Sequence, residues 1–213
     1  MKRGALVALG CLLAGACTDP LVPSRAAIYP FTDPFGDVFH WPADRLPVRI
    51  YVEPRGDLPA LVARAADLWQ RQLLYGEFTA TMAGDSNHAD VIVRWTDSVP
   101  PPAAPDPGPP VKACGGVTHG AVDSTGVTFA GPFETEITIL TGTVFTPEQV
   151  EACVRRTVVH ELGHTLGLFQ ESPDTLAIMF SPPAVSEPAA IDRRTVQVLY
   201  HTAATLSPPP RRP

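Results

Sequence analysis

A chain of 213 residues is long enough for one domain with a real core. Its 22 acidic residues outnumber its 16 Lys and Arg, giving a formal net charge of −6, and no basic block exists beyond short runs such as Arg211-Arg212. Nucleic acid is therefore excluded as a partner, and the 25 prolines, many of them clustered, restrict where helices can form.

The N-terminus reads as a targeting segment. Lys2 and Arg3 precede a short apolar run from Leu6 to Ala14, and Leu13-Ala14-Gly15-Ala16-Cys17 follows. The run is too short for a membrane span and ends in small residues. It resembles a bacterial lipoprotein signal over residues 1–16, with Cys17 as the lipidated first residue of the mature chain. The alternative is an ordinary secretory signal cleaved near Ala16. Either way the chain is expected to be exported, anchored to the cell envelope by its N-terminal lipid alone or freely secreted. Cys11 would leave with the signal. Cys114 and Cys153 then remain as a pair, and in an oxidising compartment a disulfide is the default. The competing reading makes Cys114 a thiolate that caps a metal.

Residues 17–40 are rich in Pro and Asp without periodicity and read as a tether. The domain is expected over residues 41–203. Val48, Ile50 and Val52 alternate with Arg49 and Tyr51, predicting a strand. Leu58, Leu61, Val62, Ala65, Leu68, Trp69 and Leu73 form one stripe, predicting a helix over Asp57–Leu74 closed by Gly76. Val91 to Trp95 reads as a second strand. Val99 to Pro110 is proline-rich and is expected to be an exposed loop, residues 99–110, inserted within one domain. Val117 to Ala130 carries short strand-like pieces, and Glu136 to Thr141 is a β-branched strand. A helix should then start with Thr146 as N-cap, Pro147 in first position and Gln149 completing a capping box. A last helix is expected over Glu187–Tyr200 with Ile191, Val198 and Leu199 inward, and residues 204–213 as a disordered tail. The expected fold class is α/β (α+β in stricter usage): a twisted mixed sheet with a backing helix, a site-bearing helix and a C-terminal helix. A monomer is expected.

Residues 160–167 read His-Glu-Leu-Gly-His-Thr-Leu-Gly. Histidines four apart on a helix share a face and can reach one zinc ion. Glu161 stays close enough to hold a water and take its proton. Gly167 can end the helix in a left-handed turn and swing the following chain back towards the histidines. His40, His88, His119 and His201 are isolated and suit ordinary hydrogen-bonded or surface roles.

Residues 160–180, HELGHTLGLFQESPDTLAIMF, resemble the metzincin superfamily of zinc metallopeptidases, in its matrixin-like branch. His160, Glu161, His164 and Gly167 match the family motif, and Ala177-Ile178-Met179-Phe180 matches its methionine turn, with Met179 as the methionine. The chain departs from the pattern at the third ligand. Standard spacing puts Gln170 there, whereas a register one residue longer keeps Ser172, Pro173 and Met179 aligned and puts Glu171 in place of the histidine. A carboxylate is the better zinc ligand, so Glu171 is favoured over Gln170, with Asp174 as a third candidate that can instead brace the methionine turn. Ser181 stands where some branches carry a tyrosine. The resemblance implies a metzincin-like zincin domain, Zn2+ as cofactor and a zinc-dependent endopeptidase acting on protein or peptide substrates. Glu161 would be the general base, and His160, His164 and Glu171 the ligands. The rival is a catalytically inactive surface lipoprotein of the same fold, acting as a binding module.

Overall fold

The computed structural model describes residues 26–98, 113–140 and 145–211. The expected signal and lipidated Cys17 lie outside the described residues, as does the proline-rich loop. The elements run β1 (Val48–Val52), α1 (Leu58–Gln70), β2 (Ala80–Met82), β3 (Val91–Ser98), β4 (Cys114–His119), β5 (Phe133–Leu140), α2 (Pro147–Thr165) and α3 (Ala190–Tyr200). The fold is α/β, built on one mixed sheet of order β2-β1-β3-β5-β4. Neighbouring strands are parallel except β4, which runs antiparallel to β5 and forms one edge.

Alternation decides how the strands sit. Val48, Ile50 and Val52 are buried while Arg49 and Tyr51 are only half-buried, as a period of two requires. Helix α1 turns Leu58, Val62, Ala65, Leu68 and Trp69 into the core. It is shorter than the apolar stripe predicted. At its end Gln72 bends back, donating to the Leu68 carbonyl at 2.8 Å and accepting from Arg193 Nε at 2.9 Å, so a contact with α3 sets the turn. Strand β2 is a short, largely exposed piece with no alternation to betray it.

The N-terminus of α2 follows the predicted chemistry. Thr146 Oγ1 accepts from the Gln149 amide at 3.3 Å, and Gln149 Oε1 accepts from the Thr146 amide at 2.9 Å. At the other end Gly167 has φ +104°, and a Cβ there would fall 1.9 Å from the Phe39 carbonyl oxygen. Both the left-handed backbone and the close approach demand glycine.

Three expectations are corrected. The described part of the supposed tether packs on the domain: Tyr29, Val38 and Phe39 are core residues, and the Phe39 ring meets Trp41 at 5.1 Å and Phe129 at 5.0 Å. Apolar burial of these aromatic side chains overrides the Pro and Asp content. The supposed disordered tail is also bound. Leu206 is buried, the Ser207 carbonyl accepts from the Phe129 amide at 3.0 Å, and Arg211 joins Arg45 and Arg49 around the buried Asp90. Helix α3 starts at Ala190, and its buried stripe is Asp192, Thr195, Val196, Leu199 and Tyr200, with Ile191 and Val198 only half-buried. Helix α3 is rotated because Asp192 has polar partners inside the molecule.

Candidate metal centre

Helix α2 carries the motif into the core. Trp69 Nε1 donates to the Val159 carbonyl at 2.7 Å, and Trp41 Nε1 donates to the Thr165 carbonyl at 2.9 Å. These bonds flank the segment bearing His160, Glu161 and His164. After Gly167 the chain doubles back and brings Glu171 to the two imidazoles. Its Oε1 lies 3.5 Å from His160 Nε2 and 3.7 Å from His164 Nε2, and the two Nε2 atoms are 3.2 Å apart.

The ring tautomers follow from their partners. His160 Nδ1 lies 2.8 Å from the Ile178 carbonyl oxygen, and His164 Nδ1 lies 2.6 Å from that of Leu168. A carbonyl oxygen only accepts, so each Nδ1 donates and each neutral ring presents a lone pair at Nε2. Two lone pairs and a carboxylate oxygen then converge within 4.8 Å of one another. Such a set is stable only around a cation or a shared proton. Two nitrogens bound to one tetrahedral zinc stand about 3.3 Å apart, so the donor types and spacing fit zinc. Burial works to lower the His160 pKa, but the Glu171 carboxylate and the Ile178 carbonyl outweigh it and the net shift is upward. Burial likewise opposes ionisation of Glu171, yet the two imidazoles hold its carboxyl down to about 2.

The other ligand candidates are engaged elsewhere. Gln170 turns towards the N-terminal segment and donates to the Thr32 carbonyl at 3.0 Å. Asp174 is exposed and caps its own turn, accepting from the Leu176 amide at 2.9 Å. Met179 is buried against α2, where a Cβ on Gly163, the residue before His164, would stand 2.3 Å from its sulfur. Ser181 lines the cleft but carries no phenol towards the histidines.

Glu161 is buried with one oxygen held and one open. Thr118 Oγ1, on edge strand β4, donates to Glu161 Oε2 at 2.8 Å. Oε1 receives no hydrogen bond from the described residues, and Glu161 lines both of the clefts that meet at His160 and Glu161. A Cβ on Gly116 would stand 2.6 Å from this carboxylate, so β4 approaches closely only because glycine is there. Cys114 and Cys153 form the disulfide expected from export, tying β4 to α2 beside the centre. The remaining described histidines are elsewhere: His40 bonds to the Thr202 carbonyl, His88 pairs with Asp85, His201 bonds to the Gln197 carbonyl, and His119 is exposed at the end of β4.

No protein-family model matches the chain, and no curated protein matches it. Among solved structures the chain is similar to that of myroilysin, with 15% identity and a TM-score of 0.42, covering 77% of this chain and 96% of that one. At that distance the likeness assigns no role to any residue. Among the described residues, no helix is long and apolar enough to cross a membrane.

Three supporting residues lie outside the motif. Asp192 is fully buried and accepts from the amides of Ile178 at 2.9 Å, Met179 at 3.3 Å and Ala189 at 2.8 Å. Tyr29 supplies a fourth donor through its hydroxyl. An acid one turn before Val196 and two before Leu199 is the trace that Asp192 leaves in the sequence. Thr118 leaves none.

Proposed function

We propose that the chain is a zinc-dependent endopeptidase, metzincin-like in its metal site, with His160, His164 and Glu171 as ligands and Glu161 as general base. The observation that carries this reading is the convergence of three acceptor atoms beside a buried carboxylate that is not itself one of them. Zinc held there supplies a Lewis acid that makes water nucleophilic near neutral pH and polarises a carbonyl. The chain's own residues do the rest. The Ile178 and Leu168 carbonyls keep both Nε2 lone pairs aimed at one point. Thr118 fixes one oxygen of Glu161, and the open oxygen takes a proton from the attacking water and later passes it to the departing amine. Met179 packs against α2 at Gly163, beside His164 in sequence.

Two measurements test the reading together: zinc content of the purified chain, and cleavage of casein. Stoichiometric zinc, with cleavage lost in Glu161→Ala while zinc is retained, is the expected result. Zinc without any cleavage would favour the binding module. The third ligand is tested separately, because Glu171→Ala should weaken zinc binding by at least about tenfold while Gln170→Ala and Asp174→Ala leave it nearly unchanged. The same reading includes export, with Cys17 as the acylated N-terminus. Mass spectrometry of the membrane-extracted protein checks this, and a soluble unacylated chain starting near Cys17 would replace anchoring with secretion.

A further inference from the structure

Two clefts meet at His160 and Glu161, and they differ in charge. The first, of about 550 Å³, is walled by the Cys114–Cys153 disulfide, Gly115, Ala152, Pro182 and Pro183. Arg156 is the one permanent cation among its described lining residues. The second, of about 510 Å³, is lined by Phe129, Phe133 and Phe169 and carries Asp33 and Glu171, with no Lys or Arg. Arg156 precedes His160 by four residues on α2, so both lie on one face, about 6 Å apart along the axis. Its neighbour Arg155 is paired with Glu151, but Arg156, a half-buried residue, has no carboxylate partner among the described residues.

We propose that Arg156 is a specificity-determining residue: the disulfide-side cleft receives an Asp or Glu side chain of the substrate, one or two residues from the bond aligned with Glu161. This rests on the peptidase reading for its setting, but the binding it describes does not need turnover. A planar guanidinium fork matches a carboxylate bidentately, and the apolar walls reduce competition from water. The second cleft offers that group no Lys or Arg and carries the Asp33 carboxylate, while Glu171 is committed to the metal in this reading. The charge difference therefore fixes which way a peptide lies as well as which residue it prefers.

The test compares an acetylated, amidated alanine-rich peptide carrying one Glu with its Gln twin. Binding is measured calorimetrically on the zinc-loaded Glu161→Ala chain, which cannot turn the peptide over, with and without Arg156→Gln. The Glu peptide should bind about tenfold tighter, the advantage should vanish with Arg156→Gln, and Arg156→Lys should keep part of it. Equal affinity for the two peptides, or an advantage that survives Arg156→Gln, overturns the proposal. Cleavage by the zinc-loaded unmutated chain separates the two readings. Arg156-dependent binding without any cleavage leaves the acid subsite standing and removes the peptidase. Cleavage that ignores the acid, joined to equal affinity, leaves the peptidase standing and removes the subsite.

Discussion

Tyr29 and Asp192, 163 residues apart in sequence, are joined by a buried hydrogen bond of 2.9 Å. Asp192 in turn holds the amides of Ile178 and Met179, and the Ile178 carbonyl holds His160. The N-terminal segment thus reaches the candidate metal centre through three successive contacts. Burial, and then the charge of Asp192, push the Tyr29 phenol far above its ordinary pKa, so it stays a donor at any physiological pH.

Tyr29→Phe should lower unfolding free energy by about 1–2 kcal/mol, because Asp192 loses one donor but keeps three. Asp192→Ala should cost more than about 3 kcal/mol, since it strands buried amides of the methionine segment together with the phenol. Urea titrations give both numbers, and zinc affinity measured in parallel should fall in the same order. A neutral Tyr29→Phe would remove the N-terminal segment from the support of the centre.

Positioning of Glu161 should be separable from metal binding. Thr118→Val keeps the shape of the side chain and removes the hydroxyl that holds Oε2. It should reduce kcat about tenfold or more while zinc stays bound. Gly116→Ala drives a methyl into the Glu161 carboxylate and Thr157 and should reduce kcat further. Metal analysis beside steady-state kinetics is the check, and unchanged kcat in both variants would show that neither residue's placement of the Glu161 carboxylate matters to turnover.

The disulfide spans 39 residues of sequence and should contribute about 2–4 kcal/mol. Cys114→Ser or Cys153→Ser should lower Tm accordingly without removing zinc, since neither sulfur is among the converging metal-binding atoms. Thiol titration of the unreduced, denatured mature chain should find neither of these two cysteines free.

Acid should unfold the chain partly through Asp90. Burial works against its charge, but the Arg49 amide, the Arg49 guanidinium and Arg211 outweigh it and hold its pKa below the ordinary value. The folded state therefore binds fewer protons here than the unfolded one. The stability from Asp90 is complete above the unfolded value of about 3.9 and is lost as pH falls from there through the lower folded value. Asp90→Asn should be less stable at neutral pH and should decline less steeply below about pH 4. Urea midpoints across that range test the slope.

The readable parts of this chain were the local ones. Spacing alone put His160 and His164 on one face, and the capping chemistry of Thr146 and Gln149 marked where their helix begins. Glu171 was reached by keeping Ser172, Pro173 and Met179 in register, and the structure places its carboxylate, not Gln170 or Asp174, against both rings. The unread parts depend on partners far along the chain. Thr118 looks like any strand threonine until β4 lies beside Glu161. Asp192 looks like a helix-start acid until the methionine segment closes over it. In residues 17–40 the Pro and Asp content masks Tyr29, Phe31 and Phe39, aromatic side chains that a solvated tether has no reason to carry.

The link from Tyr29 through Asp192 also bears on the order of events during synthesis. Residue 192 follows residue 29 by 163 positions, so the methionine segment cannot be locked until the chain has been made through α3. Contacts of such long sequence separation form late in folding. A ribosome-bound chain that stops short of α3 therefore carries the histidine pair without the Asp192 contacts that hold the Ile178 and Met179 amides. If the chain is a peptidase, it is born unable to cut, and stays so until α3 has been made and Asp192 has closed on the methionine segment.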